Sequence, residues 1–153
     1  MSEGHVAETG LSRPVPRDPR QSARFPHPGQ VVAVALGGAV GAPLRYELLV
    51  WFPVHPGRFP CTTLAINVSG SFVLGVLLTL FIERIRPARY LRAFVCTGVL
   101  GAYTTFSTFA VEVTTLGKDG HVVTGVAYLL ASLTLGLVAA VAGVACARLG
   151  RQR

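Results

Sequence analysis

The chain has 153 residues, of which 51% are hydrophobic and only 14% charged, and it carries a formal net charge of +7. An ordinary soluble domain has about 25% charged residues, and a chain this short has a large surface to cover with polar groups. A soluble enzyme, a disordered chain and a disulfide scaffold are therefore poor fits. The three cysteines, Cys61, Cys96 and Cys146, are widely spaced in apolar runs. That excludes a C-x-x-C metal cluster and argues against a disulfide framework. They read as small buried hydrophobes.

Residues 1–30 hold half of the ten prolines, with Arg13, Arg17, Arg20 and Arg24 between them and no apolar run. This composition predicts a disordered, basic, proline-rich tail. It lacks the apolar core and small-residue cleavage site of a secretory signal. Four long apolar stretches follow: Val31 to about Phe52, Cys61 to about Ile82, roughly Leu91 to Leu116, and Val122 to about Ala147. Each reaches the ~20 residues a helix needs to cross ~30 Å of hydrocarbon. The runs lack a period of two and are too long for barrel strands. The links between them, including Pro53-Val54-His55-Pro56-Gly57 and Gly117-Lys118-Asp119-Gly120, are short and rich in turn formers. The sequence predicts an all-α integral membrane protein, with a four-helix transmembrane domain over residues 31–149 and a short basic tail over 150–153.

Eleven Lys and Arg residues fall in the N-terminal tail, the second connection and the C-terminus, which four spans place on one side; Arg58 and Lys118 fall on the other. The rule that basic residues stay cytoplasmic puts both termini inside. The basic balance is then a topology signal, and nucleic-acid binding is not expected.

The spans also contain small residues at four-residue spacing: Gly37 with Gly41, Ser71 with Gly75, and Gly136 with Ala140. Such rows let helix backbones approach closely in lipid. Packing within one subunit and packing between subunits both fit them. Polar residues say more. Asn67, in the second span, is costly in lipid and faces either a partner helix or a wet path. In the third span, Thr104, Thr105, Ser107 and Thr108 follow Gly98 and Gly101. Hydroxyls there compete for the backbone's own bonds, so the helix either breaks near mid-membrane or stays intact with hydroxyls bonded to the preceding turn. Carbonyls freed by a break can coordinate a cation.

Phe106 and Phe109 share a helix face at i, i+3, which is ordinary packing or, amid hydroxyls, a pair of electropositive ring edges. With amide and hydroxyl donors they could line a route for a small anion that no fixed cation would trap. Tyr128 and Ser132, at i, i+4 in the fourth span, could extend that polar line. Arg45 and Glu47 read as snorkelling residues near a span end, and Glu112 as either interfacial or part of a vestibule.

Three segments then resemble one family. Gly37-Gly38-Ala39-Val40-Gly41-Ala42-Pro43-Leu44-Arg45-Tyr46, Thr63 through Phe72, and Gly98 through Phe109 ending Thr-Thr-Phe-Ser-Thr-Phe are similar, in order, to the first three span motifs of the CrcB/Fluc fluoride ion channels. The resemblance covers about Val31 to Ala147. It implies a passive, fluoride-selective channel in the bacterial cell membrane that exports toxic fluoride from the cytoplasm. It also implies an antiparallel dimer of four-helix subunits with two pores. By the matched motifs, Asn67 would be the pore-lining amide and Phe106 and Phe109 the aromatic edge pair. Gly101 and Thr104 would lend backbone carbonyls to a structural, non-transported sodium ion (Na+) at the break, shared between subunits. Tyr128 and Ser132 match polar positions of the fourth helix, and Arg45 a first-helix arginine with a structural or electrostatic role.

An antiparallel homodimer from one gene product calls for balanced Lys and Arg on its two sides, and this chain is strongly biased. The bias leads us to expect one fixed orientation and a homologous partner subunit of opposite bias. Two other readings fit less well. A small proton-coupled multidrug exporter of four-helix dimer type needs a mid-span carboxylate, whereas Glu47 and Glu112 lie towards span ends. A non-transporting membrane scaffold leaves Asn67 and the phenylalanine pair unexplained. No enzyme is expected, since His5, His27, His55 and His121 all lie in tails or connections.

Overall fold

The computed structural model describes residues 27–83 and 89–149. The disorder expected of residues 1–26, and Arg84, Arg86, Arg151 and Arg153 from the charge count, lie outside them. Helix α1 spans Pro28–Trp51, α2 Cys61–Glu83, α3 Arg89–Arg92, α4 Gly101–Tyr103, α5 Phe106–Lys118 and α6 Val122–Leu149, with a π-helical segment, Ala93–Leu100, between α3 and α4. Among the described residues, four spans are long and apolar enough to cross a membrane: Pro28–Trp51, Cys61–Glu83, Arg89–Lys118 and Val122–Leu149.

α1 begins three residues before the first apolar run, so Pro28, Gly29 and Gln30 belong to the helix and not to the tail. Proline suits a first helical position because it has no N–H to leave unpaired. The His27 N–H is satisfied by Gln30 Oε1 at 3.1 Å. The α5–α6 connection closes with His121 N–H donating to the Leu116 carbonyl at 2.8 Å. Gly120 has a φ of 81° there, a left-handed position that glycine adopts without penalty.

Short links make consecutive spans antiparallel. α1 packs chiefly on the third span and α2 on α6, and the rows of small residues explain why. A Cβ on Gly37 would run into the Phe94 carbonyl, one on Gly41 into the Val99 carbonyl, and one on Gly75 into the Ala140 carbonyl. Gly136 meets Ser71 Oγ across the same α2–α6 seam. Of the two packings open to these rows, the subunit uses the internal one.

The cysteines differ from expectation. All are free thiols, but Cys61 and Cys146 are exposed on the subunit surface and Cys96 is half-buried. An apolar side chain in lipid has no reason to turn inward, so residue type does not separate core from surface here. At the basic end, Arg148 donates through Nε and Nη2 to Glu83 Oε1 at 2.9 and 2.8 Å, tying the ends of α2 and α6.

Candidate functional site

Where the hydroxyls of the third span cluster, two extended residues lie between α4 and α5. α4 stops at Tyr103; Thr104 (φ −75°, ψ 158°) and Thr105 (φ −145°, ψ 121°) are extended, and α5 starts at Phe106. The Leu100 carbonyl takes both the Thr104 N–H and the Thr104 hydroxyl, each at 3.0 Å. That is the competition for backbone groups that side-chain hydroxyls offer. The Thr105 N–H does not continue the ladder. It donates to Asn67 Oδ1 at 2.8 Å, while Asn67 Nδ2 donates to the Thr105 carbonyl at 2.9 Å. An unpaired backbone group in a bilayer costs several kcal/mol. Asn67 on α2 supplies the missing partner of the Thr105 N–H and a second donor to its carbonyl, and that helps the extended pair persist. The Thr105 hydroxyl then caps α5 by accepting from the Thr108 N–H at 3.1 Å.

The Gly101 carbonyl therefore lies at a helix C-terminus with no following turn to supply a donor. The Thr104 carbonyl takes a long contact from Arg45 Nη1 at 3.4 Å. Arg45 thus reaches inward to the interruption and does not snorkel.

A cavity of about 320 Å³ lies beside the interruption, between α2, the third span and α6. Asn67, Gly101, Thr104, Phe106, Phe109 and Ser132 all line it, so six residues singled out from three separate spans meet at one place. Ser132 Oγ is buried and has no hydrogen-bond partner, the state of a group awaiting water or a ligand. The two phenylalanine rings lie 5.9 Å apart at 48°, but in unlike settings: Phe109 is 8% exposed and Phe106 80%. Phe106 leaves the subunit through the open side of the cavity. Ser71 also lines it and was noted in the sequence only as a small packing residue. Its spacing was the missed signal, because Thr63, Asn67 and Ser71 are i, i+4, i+8 on one face of α2.

Tyr128 is not in the lining. It is wholly buried, with its ring edge-on to Phe109 at 5.2 Å and to Phe59 at 5.4 Å. Its hydroxyl donates to Glu112 Oε2 at 2.7 Å, and the Thr63 hydroxyl donates to Glu112 Oε1 at 2.7 Å. Glu112 is thus neither a plain interfacial residue nor a bare vestibule wall. It knits α2, α5 and α6 together, with both oxygens engaged.

A family model described as CrcB-like protein, Camphor Resistance (CrcB), matches residues 32–144. The chain belongs to the CrcB family. The match spans all four membrane helices and every residue of the cavity lining. Among curated CrcB relatives, the Fluoride-specific ion channel FluC 2 of Nocardia farcinica is 41% identical over 128 residues, covering 82% of this chain and 91% of the relative. Two further relatives come from Streptomyces avermitilis. Fluoride-specific ion channel FluC 3 is 43% identical, over 82% of this chain and 61% of the relative. FluC 2 is 41% identical, over 84% and 80%.

Proposed function

We propose that this chain is one subunit of a passive, fluoride-selective channel that lets fluoride leave the cytoplasm. The observation that carries the reading is the cavity beside Thr104 and Thr105, where an amide, an orphan hydroxyl and two aromatic edges converge. Fluoride is small and strongly hydrated, so its water must be replaced by donors. Asn67 Nδ2 keeps one N–H after serving Thr105, Ser132 Oγ is unpaired, and ring edges carry positive quadrupole. None is a full positive charge, so an ion held by them can also be released. The cavity is roomy enough for several waters. Selectivity against chloride therefore belongs to a narrower part of the path, closed over the exposed Phe106 by a second subunit.

That second subunit is antiparallel in our reading, and the extended pair, roughly halfway along the Arg89–Lys118 span, is the third-helix break at the dimer centre. The Gly101 carbonyl is free and the Thr104 carbonyl keeps a lone pair beside Arg45, so both suit a sodium ion whose other ligands come from the partner. A bound sodium supplies positive charge that offsets the cost of anions in low dielectric. Arg45 adds a fixed positive charge near the same carbonyl. The Lys and Arg bias supports both termini in the cytoplasm and a homologous partner of opposite orientation. Glu112, with both oxygens bonded, is poorly suited to a proton-coupled exporter.

Fluoride efflux from proteoliposomes, followed with a fluoride electrode, tests the proposal. Wild type is expected to empty its vesicles, and Phe106→Ile and Asn67→Ala to slow efflux at least tenfold. Fluoride retention by wild type reconstituted with its partner would contradict the channel reading.

A further inference from the structure

A second cavity, of about 350 Å³, opens at the basic end of the subunit. Arg89 and Arg92 line it with Gln30 of α1, and Leu74 and Cys96 belong to its wall and to that of the cavity beside Asn67. Two spaces with common walls adjoin. α2 shows the same continuity, since Thr63, Asn67, Ser71, Leu74 and Leu78 follow at steps of four, four, three and four, all on one face. Asn67, Ser71 and Leu74 of that row line the inner cavity, and Leu74 and Leu78 line the outer one.

Both arginines are exposed. Among the described residues neither pairs with a carboxylate; Glu83, the acid at this end of α2, is held by Arg148. Arg89 lies 5.4 Å from the Tyr90 ring, a contact that leaves its charge unneutralised. A topology signal explains why arginines stand at this end of the span, but not why two of them wall a space that shares Leu74 and Cys96 with the polar cavity.

We infer that Arg89 and Arg92 form an anion-gathering vestibule for fluoride, one stage outside the cavity of Asn67 and Ser132. The inference rests on the channel reading. A cleft lined by one sign of charge raises the local concentration of a counter-ion and can speed its capture by about 10- to 1000-fold. Full charges suit this station and not the inner one. At a hydrated mouth they concentrate anions without stripping them, whereas in a narrow dry site they would hold fluoride fast.

Salt separates this role from a purely topological one. The screening length is about 30 Å at 0.01 M salt and about 3 Å at 1 M. We would measure fluoride efflux from vesicles of the assembled channel in about 10 mM and about 0.5 M potassium gluconate, for wild type, Arg89→Gln/Arg92→Gln and Arg89→Lys/Arg92→Lys. The glutamine pair is expected to run about three- to tenfold slower than wild type in dilute salt and within about twofold of it in concentrated salt. The lysine pair should match wild type in both. Equal rates for the glutamine pair and wild type in dilute salt would overturn the vestibule. So would a wild-type rate indifferent to salt, a readout that stands even if the glutamine pair fails to assemble. Absence of wild-type fluoride flux at either salt would overturn the channel reading itself, a distinct outcome.

Discussion

An asparagine side chain carries one donor group and one acceptor, the same pair a peptide unit offers, and Asn67 spends both on Thr105. Asn67→Ala leaves the Thr105 N–H without a partner, at a cost of about 1–3 kcal/mol, and takes one donor from the Thr105 carbonyl, which keeps its bond within α5. The variant is expected to lose several degrees in a detergent melt as well as its flux, and Asn67→Asp to behave similarly, since it retains only the acceptor. A melting temperature equal to wild type would show that the amide does not hold the interruption. The two phenylalanines should separate in such an assay. Phe109→Ala empties a packed site against Tyr128 and should cost about 3–5 kcal/mol. Phe106→Ala removes a ring that is 80% exposed, so the subunit should melt as wild type while efflux fails. Sequence alone brought out both phenylalanines and Asn67. It did not bring out that Asn67 bonds to backbone, because the target of an amide depends on which strand of chain lies opposite. Tyr128 stands one turn from Ser132, and its longer side chain carries the hydroxyl to Glu112.

At the scale of elements, glycine decides which helices touch. The α1–third-span contact is so close that the Gly41 Cα position faces the Val99 carbonyl directly, and backbone cannot step aside as a flexible side chain can. Gly41→Val is expected to give no monodisperse protein on size exclusion. Gly101 offers the contrast. A Cβ there meets nothing within 4 Å, and its backbone is ordinary helix. Gly101→Ala should therefore fold and melt like wild type, while its methyl group, beside the carbonyl assigned to sodium, lowers fluoride efflux. An aggregated Gly101→Ala protein would contradict the open space. The four spans were plain in the sequence because each is a single long apolar run. Their packing partners were not, because a small-x-x-x-small row presents the same smooth surface to a neighbouring helix of its own subunit and to one of another.

For the molecule as a whole, the basic charge reads as a topology signal. The basic end gathers α1's start, α3 and the end of α6, and its excess of Lys and Arg over the end holding Arg58 and Lys118 is the ground for expecting one direction of insertion. A C-terminal reporter fusion is expected to report the cytoplasm alone, and the chain purified without a homologue should stay monomeric or conduct poorly. A stable antiparallel homodimer that conducts fluoride would overturn the paired-subunit part of the account and leave the pore chemistry standing. That chemistry is the central claim: neutral donors beside Thr104 and Thr105 accept fluoride in place of its water, and the narrower path closed over Phe106 by the second subunit refuses a larger anion. The most direct test loads one population of proteoliposomes with fluoride and chloride together and follows both ions with selective electrodes after a potassium ionophore is added. The account expects fluoride to leave within the experiment while chloride stays, at least a hundredfold slower. Equal loss of the two ions would contradict it.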